Sequence, residues 1–108
     1  MNVTIRTVSH GGEHTLYVTG EIDAYTGPKL KEQLLSLVGQ PDAKSVTVDL
    51  QGVEYIDSTG IGIFVGACKT SRKTGCQLNI QNAAPRVERL FQITGLHEIM
   101  GSSKGEKV

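Results

Sequence analysis

The sequence predicts an α/β domain in which a mixed sheet of four to five strands carries its helices on one face. Three observations point to this. Short runs alternate between apolar and polar residues, so each strand has one buried and one wet side. The first two runs are joined by a Gly-Gly turn, as antiparallel neighbours are, whereas later runs are separated by helix-length segments, as parallel neighbours are. The near-continuous apolar strands of a sheet covered on both faces are missing.

Val3 and Ile5 alternate with Thr4 and Arg6, and Leu16, Val18 and Gly20 alternate with Thr15, Tyr17 and Thr19. Between them His10-Gly11-Gly12 supplies the positive φ angles of a tight hairpin turn, with His10 and His14 as solvated flanking residues. The segment Glu21 to Pro28 is polar and turn-rich and leads into a helix with Pro28 early and Leu30, Leu34, Leu37 and Val38 on one face. Asp23 or Thr26 is the expected cap, and Gly39 and Pro41 are the expected stop. Ser45 to Leu50 reads as the third strand, with a turn at Gln51-Gly52.

A second helix is expected to start near Ser58, because Ile61, Phe64, Val65 and Cys68 keep the i, i+3, i+4, i+7 spacing of one buried stripe. Asp57 and Ser58 are both suitable N-caps. Lys69, Arg72 and Lys73 suit the negative end of the helix dipole, and Gly75 suits the stop. Cys76, Leu78 and Ile80 then alternate with Gln77, Asn79 and Gln81 as a fourth strand. Pro85 opens a short helix carrying Val87, Leu90 and Phe91, which Gly95-Leu96 closes, and Leu96, Ile99 and Met100 predict one or two further helical turns. Residues 1–100 form the expected single domain and 101–108 a flexible tail.

Composition narrows the function. The chain of 108 residues has a formal net charge of zero and no Trp, so neither a long-range field nor a stacking platform directs it to nucleic acid or an anionic membrane. No apolar run is of signal-peptide or membrane-spanning type, so a cytoplasmic protein is expected. Cys68 and Cys76 lack His or Cys neighbours at ligand spacing and read as core thiols, and no metal or cofactor is expected. There is no G-x-S-x-G elbow, no His near Ser58 in sequence, and no Gly-Lys-Ser/Thr ending after the Asp57 to Gly62 turn. An enzyme is therefore not expected.

What remains is the polar turn itself. Gly60 and Gly62 fall in the first helical turn, where each costs up to about 1 kcal/mol relative to Ala. A plain cap needs neither, and glycines there thin the surface around the hydroxyls of Ser58 and Thr59. On a helical wheel Ile63 lies nearly opposite the buried stripe, which predicts an exposed docking residue, with a second buried contact under a loop as the alternative.

Asp57-Ser58-Thr59-Gly60-Ile61-Gly62 resembles the D-S-[ST]-G-[LI]-G signature of STAS domains, specifically the free-standing anti-sigma factor antagonists of bacteria. The resemblance extends to Gly20-Glu21-Ile22-Asp23 and to Leu90-Phe91-Gln92-Ile93-Thr94-Gly95-Leu96. It implies a STAS fold and a partner switch. In that family the unphosphorylated protein binds an anti-sigma factor that is also a serine kinase and so releases a sigma factor. Phosphorylation of the Ser after the motif Asp breaks the complex, and a PP2C-type phosphatase restores it. Carried to this chain, the resemblance makes Ser58 the acceptor, with Thr59 a weaker one. Partner contacts fall on Glu21, Ile22, Asp23, Asp57, Thr59, Gly60, Gly62 and Ile63, and Glu21, Asp23, Glu54 and Asp57 form an acidic rim. The alternative is a STAS partner-switching or scaffold module acting on a client outside any sigma-factor system, and a third reading is a small nucleotide-binding protein or hydrolase.

Overall fold

A computed structural model describes residues 2–96 of the chain. The elements run β1 (Val3–His10), β2 (Glu13–Ile22), α1 (Gly27–Val38), β3 (Ser45–Ile56), α2 (Ser58–Thr74), β4 (Gln77–Gln81) and α3 (Pro85–Ile93). Among the described residues the sheet has four strands in the order β1-β2-β3-β4. The β1/β2 pair is antiparallel, while β2/β3 and β3/β4 are parallel. Gly11 and Gly12 hold φ of 60° and 86°, the left-handed pair that a two-residue hairpin loop requires. The mixed sheet expected from the sequence is thus present. His14 lies within β2, where its Nδ1 is 2.7 Å from the Ser9 hydroxyl, and is not a turn residue.

Because β2, β3 and β4 are adjacent and parallel, right-handed crossovers place α1 and α2 on the same face. The two helices pack directly on one another. Leu30, Leu34 and Val38 from α1 and Phe64, Ala67 and Cys68 from α2 close over Leu16, Val18, Val46, Val48, Leu50 and Ile80 from the sheet. Phe91 carries α3 into the same layer by meeting Phe64 edge-on, with ring centroids 5.2 Å apart, a geometry that contributes about 1 kcal/mol beyond burial. The other face of the sheet is open among the described residues, and there the Arg6 guanidinium lies 4.4 Å above the Tyr17 ring.

Two expectations change. The third strand does not turn at Gln51-Gly52 but runs to Ile56. Pairing with β2 shifts register between Tyr17 and Thr19 and again between Gly20 and Glu21, so bulges absorb the break in alternation without ending the ladder. Gly52 makes the close pairing possible, since a Cβ there would lie 2.5 Å from Thr19 Cγ2. Likewise β2 continues through Glu21 and Ile22, which the sequence placed in a loop. Gly20, at φ 107°, faces the Asn2 carbonyl so closely that a side chain would collide with it.

The helix ends follow the sequence with one exception. Gly75 adopts the left-handed stop of α2 at φ 82°, with Arg72 and Lys73 in the last turn. Thr94 is the C-cap of α3, followed by Gly95 at φ 82° and a buried Leu96. At the start of α1, Thr26 occupies the N-cap position but makes no side-chain capping bond. Cys68 and Cys76 are buried and joined in no disulfide, in keeping with the core thiols read from the sequence, and burial pushes the Cys76 thiol up. The predicted turns at Ile99 and Met100 and the tail at 101–108 lie outside the described residues.

Candidate functional site at the carboxyl ends of β2 and β3

Register brings the site together. Glu21 pairs with Tyr55 and Ile22 with Ile56, so the segments leaving β2 and β3 emerge side by side. The Asp57 N–H donates to the Ile22 carbonyl at 3.2 Å and ties the two exits. Asp57 is the N-cap of α2, its Oδ1 accepting from the N–H groups of Thr59 at 2.9 Å and Gly60 at 3.2 Å. Such a cap contributes about 1 kcal/mol. Of the two candidate caps, Asp57 does the work, and Ser58 is left exposed with no side-chain hydrogen bond among the described residues.

The neighbouring loop is built around Asp23 and Thr26, both almost fully buried. Asp23 Oδ1 accepts from the N–H groups of Tyr25 and Thr26 at 2.9 and 3.0 Å. The Thr26 hydroxyl accepts from the Asp23 N–H at 2.9 Å and donates to the Glu21 carbonyl at 2.7 Å. Thr26 therefore closes the loop instead of capping α1. The Thr26 N–H, with the Tyr25 N–H and Thr26 hydroxyl behind it, holds the Asp23 carboxyl below the usual aspartate range despite its burial. A carboxyl lowered in the folded state contributes stability that is complete above its unfolded value, about pH 4, and is lost as pH falls through the folded value. In urea titrations Asp23→Asn should thus flatten the loss of stability below about pH 4. Parallel acid slopes for variant and wild type would count against this role of the carboxylate.

Two grooves meet at the Ser58 turn. One, of about 640 Å³, is lined by the four carboxylates of Glu21, Asp23, Glu54 and Asp57 together with Tyr25 and Tyr55, and by Arg86 from α3. The other, of about 480 Å³, runs between α1 and α2 and is lined by Pro28, Lys31, Leu35, Thr59, Gly62 and Gly66, among others. Asp57 borders the first and Thr59 the second, so Ser58 stands between them in the chain. The acidic groove can attract a basic partner and repel an added anion. The second groove is more apolar and offers a bed for a partner's side chains.

The architecture is that of a known domain, and a family model described as STAS domain matches residues 4–107. The chain belongs to the STAS domain family. An anti-sigma-B factor antagonist of Staphylococcus epidermidis is 40% identical over 108 residues, covering 100% of this chain and 99% of that protein. Among solved structures, the anti-sigma factor antagonist SpoIIAA in its unphosphorylated form is 17% identical and superposes with a TM-score of 0.79, over 90% of this chain and 85% of that one. The Bacillus cell fate determinant SpoIIAA in the phosphorylated form is 16% identical, with a TM-score of 0.75 over 90% and 88%. At these identities the two structures speak for the fold.

Within this STAS domain the residues read from the sequence divide into three groups. Glu21, Asp23, Glu54 and Asp57 share one groove, as the family resemblance implied, Ser58 is exposed next to Asp57 in the chain, and Thr59 and Gly62 are exposed along the α1/α2 groove. Ile22, 0% exposed, is a core residue, which corrects its reading as a surface contact, whereas Ile63, 8% exposed, is mostly buried in the core, the alternative the sequence offered, and also lines the α1/α2 groove. Ile63 is covered by the start of α1, where a Cβ on Gly27 would lie 3.0 Å from its Cδ1, so a helical wheel that ignored α1 misplaced it. Gly60 is also buried, and its missing side chain makes room for Ile22 and Ile56 instead of for an incoming molecule.

Tyr25, Tyr55 and Arg86 were not singled out from the sequence. Tyr25 is 88% exposed and Tyr55 is 47% exposed, although aromatic side chains are mostly buried. Tyr55 was detectable, since it follows the outward-facing Glu54 on a strand whose Val53 and Ile56 point inward. Arg86 depended on where α3 packs. No three His, Cys, Asp or Glu residues are grouped to hold a metal among the described residues, and none of their helices is long and apolar enough to cross a membrane.

Proposed function

We propose that this STAS domain is an anti-sigma factor antagonist switched at Ser58. Its unmodified form binds an anti-sigma factor with serine kinase activity and so frees the sigma factor. Phosphorylation of Ser58 ends that binding, and a PP2C-type phosphatase restores it. The domain acts in the cytoplasm through binding, with no catalysis of its own.

The observation that carries this reading is the division of labour at the start of α2. Asp57 makes the cap bonds, and the adjacent Ser58 hydroxyl is exposed and uncommitted. A group whose modification has to change binding without unfolding the domain belongs at such a position. The grooves on either side support the reading. Exposed Tyr25 and Tyr55 beside carboxylates suit a basic, arginine-bearing surface, because tyrosine faces attract guanidinium groups as carboxylates do. A Cβ added at Gly62 or Gly66 would meet nothing within 4 Å, so no internal packing explains these helix-weakening residues. Close approach of a partner along the α1/α2 groove would. The full-length likeness to a Staphylococcus anti-sigma-B factor antagonist supports the choice of partner class.

The test is a purified ternary mixture. The unmodified chain, added to a sigma factor held by its anti-sigma factor, should displace the sigma factor at near-stoichiometric amounts, and the same chain phosphorylated on Ser58 should not. Binding of a kinase with no sigma factor released would move the domain to a partner-switching role on another client.

A further inference from the structure

We infer that Arg86 is the internal counter-ion of the phosphorylated Ser58 side chain, a positioning residue that draws the phosphate onto the domain's own groove. This rests on Ser58 being the modified hydroxyl. Among the described residues Arg86 is the one cation lining the groove formed by Glu21, Asp23, Glu54 and Asp57. Despite four nearby carboxylates, its exposed guanidinium makes no ion pair or hydrogen bond among the described residues. Nor does its own helix explain it. As the second residue of α3 it stands at the positive end of the helix dipole, where Glu88 is favourable and a cation is not. An uncommitted guanidinium in a position unfavourable for its helix is available to an anion arriving at the groove.

The phosphate of Ser58 is such an anion. It would be attached to the residue after Asp57, which lines the same groove, and would bring about −1.5 to −2 charges to a carboxylate-rich surface. Those carboxylates repel it and raise its second pKa. Among the described groove residues Arg86 alone opposes them, with a planar fork that matches two phosphate oxygens. A phosphate held there covers the Asp57 end of the groove, so modification would occupy the surface as well as charge it.

The test places phosphoserine at position 58 during translation of the full chain, so that no kinase is needed, and follows the phosphate by phosphorus NMR as a function of pH. The second pKa of the wild-type background should lie below that of Arg86→Gln by roughly half a unit or more. Arg86→Lys, which keeps the charge, should retain most of the depression. Arg89→Gln, which removes an exposed cation of α3 that does not line the groove, should match the wild type. Equal values for wild type and Arg86→Gln, or equal shifts for Arg86→Gln and Arg89→Gln, would overturn the assignment. A chain that no kinase modifies would still show the difference, so failure of the Ser58 switch and failure of the Arg86 contact give distinct results.

Discussion

Phosphorylation of Ser58 should weaken binding to the anti-sigma factor about a thousandfold while leaving the domain folded. The magnitude comes from desolvating a phosphate for which the partner surface supplies no counter-ion, which costs several kcal/mol, and about 4 kcal/mol corresponds to that factor. Within the domain the terms nearly cancel. The phosphate would stand at the positive end of α2, worth up to about 1 kcal/mol at an exposed site, and near Arg86, against repulsion from Asp57 and the acidic groove. Ser58→Ala should therefore bind like the unmodified chain and take up no phosphate at this position in a peptide map. Ser58→Asp should fold and bind poorly, with a smaller loss because a carboxylate carries less charge. Calorimetric titration of the four forms measures this, and equal affinities for the unmodified and phosphorylated chains would remove Ser58 as the switch.

The two glycines of the signature should respond in opposite ways. A Cβ on Gly60 would stand 2.6 Å from Ile56 Cγ1 and 2.7 Å from Ile22 Cγ2. These atoms belong to β-branched side chains, stiff at χ1 and held on strands, so they yield only if the helix or sheet moves. Overpacking of this kind costs up to about 3 kcal/mol, and the better helix propensity of Ala returns up to about 1 kcal/mol. Gly60→Ala should then lose about 2 kcal/mol, seen as a melting temperature lower by roughly 10 °C. Gly62→Ala meets nothing within 4 Å and should gain up to about 1 kcal/mol while weakening the partner complex. Urea denaturation of the two variants checks the contrast, and a Gly60→Ala chain as stable as wild type would show that the β2/β3 exits are loosely packed there.

Much of this architecture was legible in the sequence, for reasons that can be named. Strand alternation marks one buried face, and Gly11-Gly12 marks the hairpin, because both are local consequences of backbone geometry. The motif led to Ser58 because a helix start is written in a few adjacent residues. What escaped depended on partners distant in sequence. Gln51-Gly52 looked like a turn since its neighbour Thr19 was not in view, and a bulged ladder carries the strand onward. Ile63 looked exposed because a helical wheel has no knowledge of α1. Gly60 and Gly62 look alike in a string of letters, yet one faces Ile22 and Ile56 and the other faces open space. Arg86 entered the site only through the docking of α3 on Phe64.

The separation of the cap, Asp57, from the proposed acceptor, Ser58, also bears on the lifetime of the signal. Proteases that act on transiently opened chains sample the unfolding equilibrium, and that equilibrium is set by bonds such as those of the Asp57 carboxylate. The Ser58 hydroxyl contributes none of them. Under the proposed switch, modified and unmodified molecules should therefore be degraded at nearly matching rates, and the ratio between the two pools would record kinase and phosphatase activity without selective erasure by protein turnover.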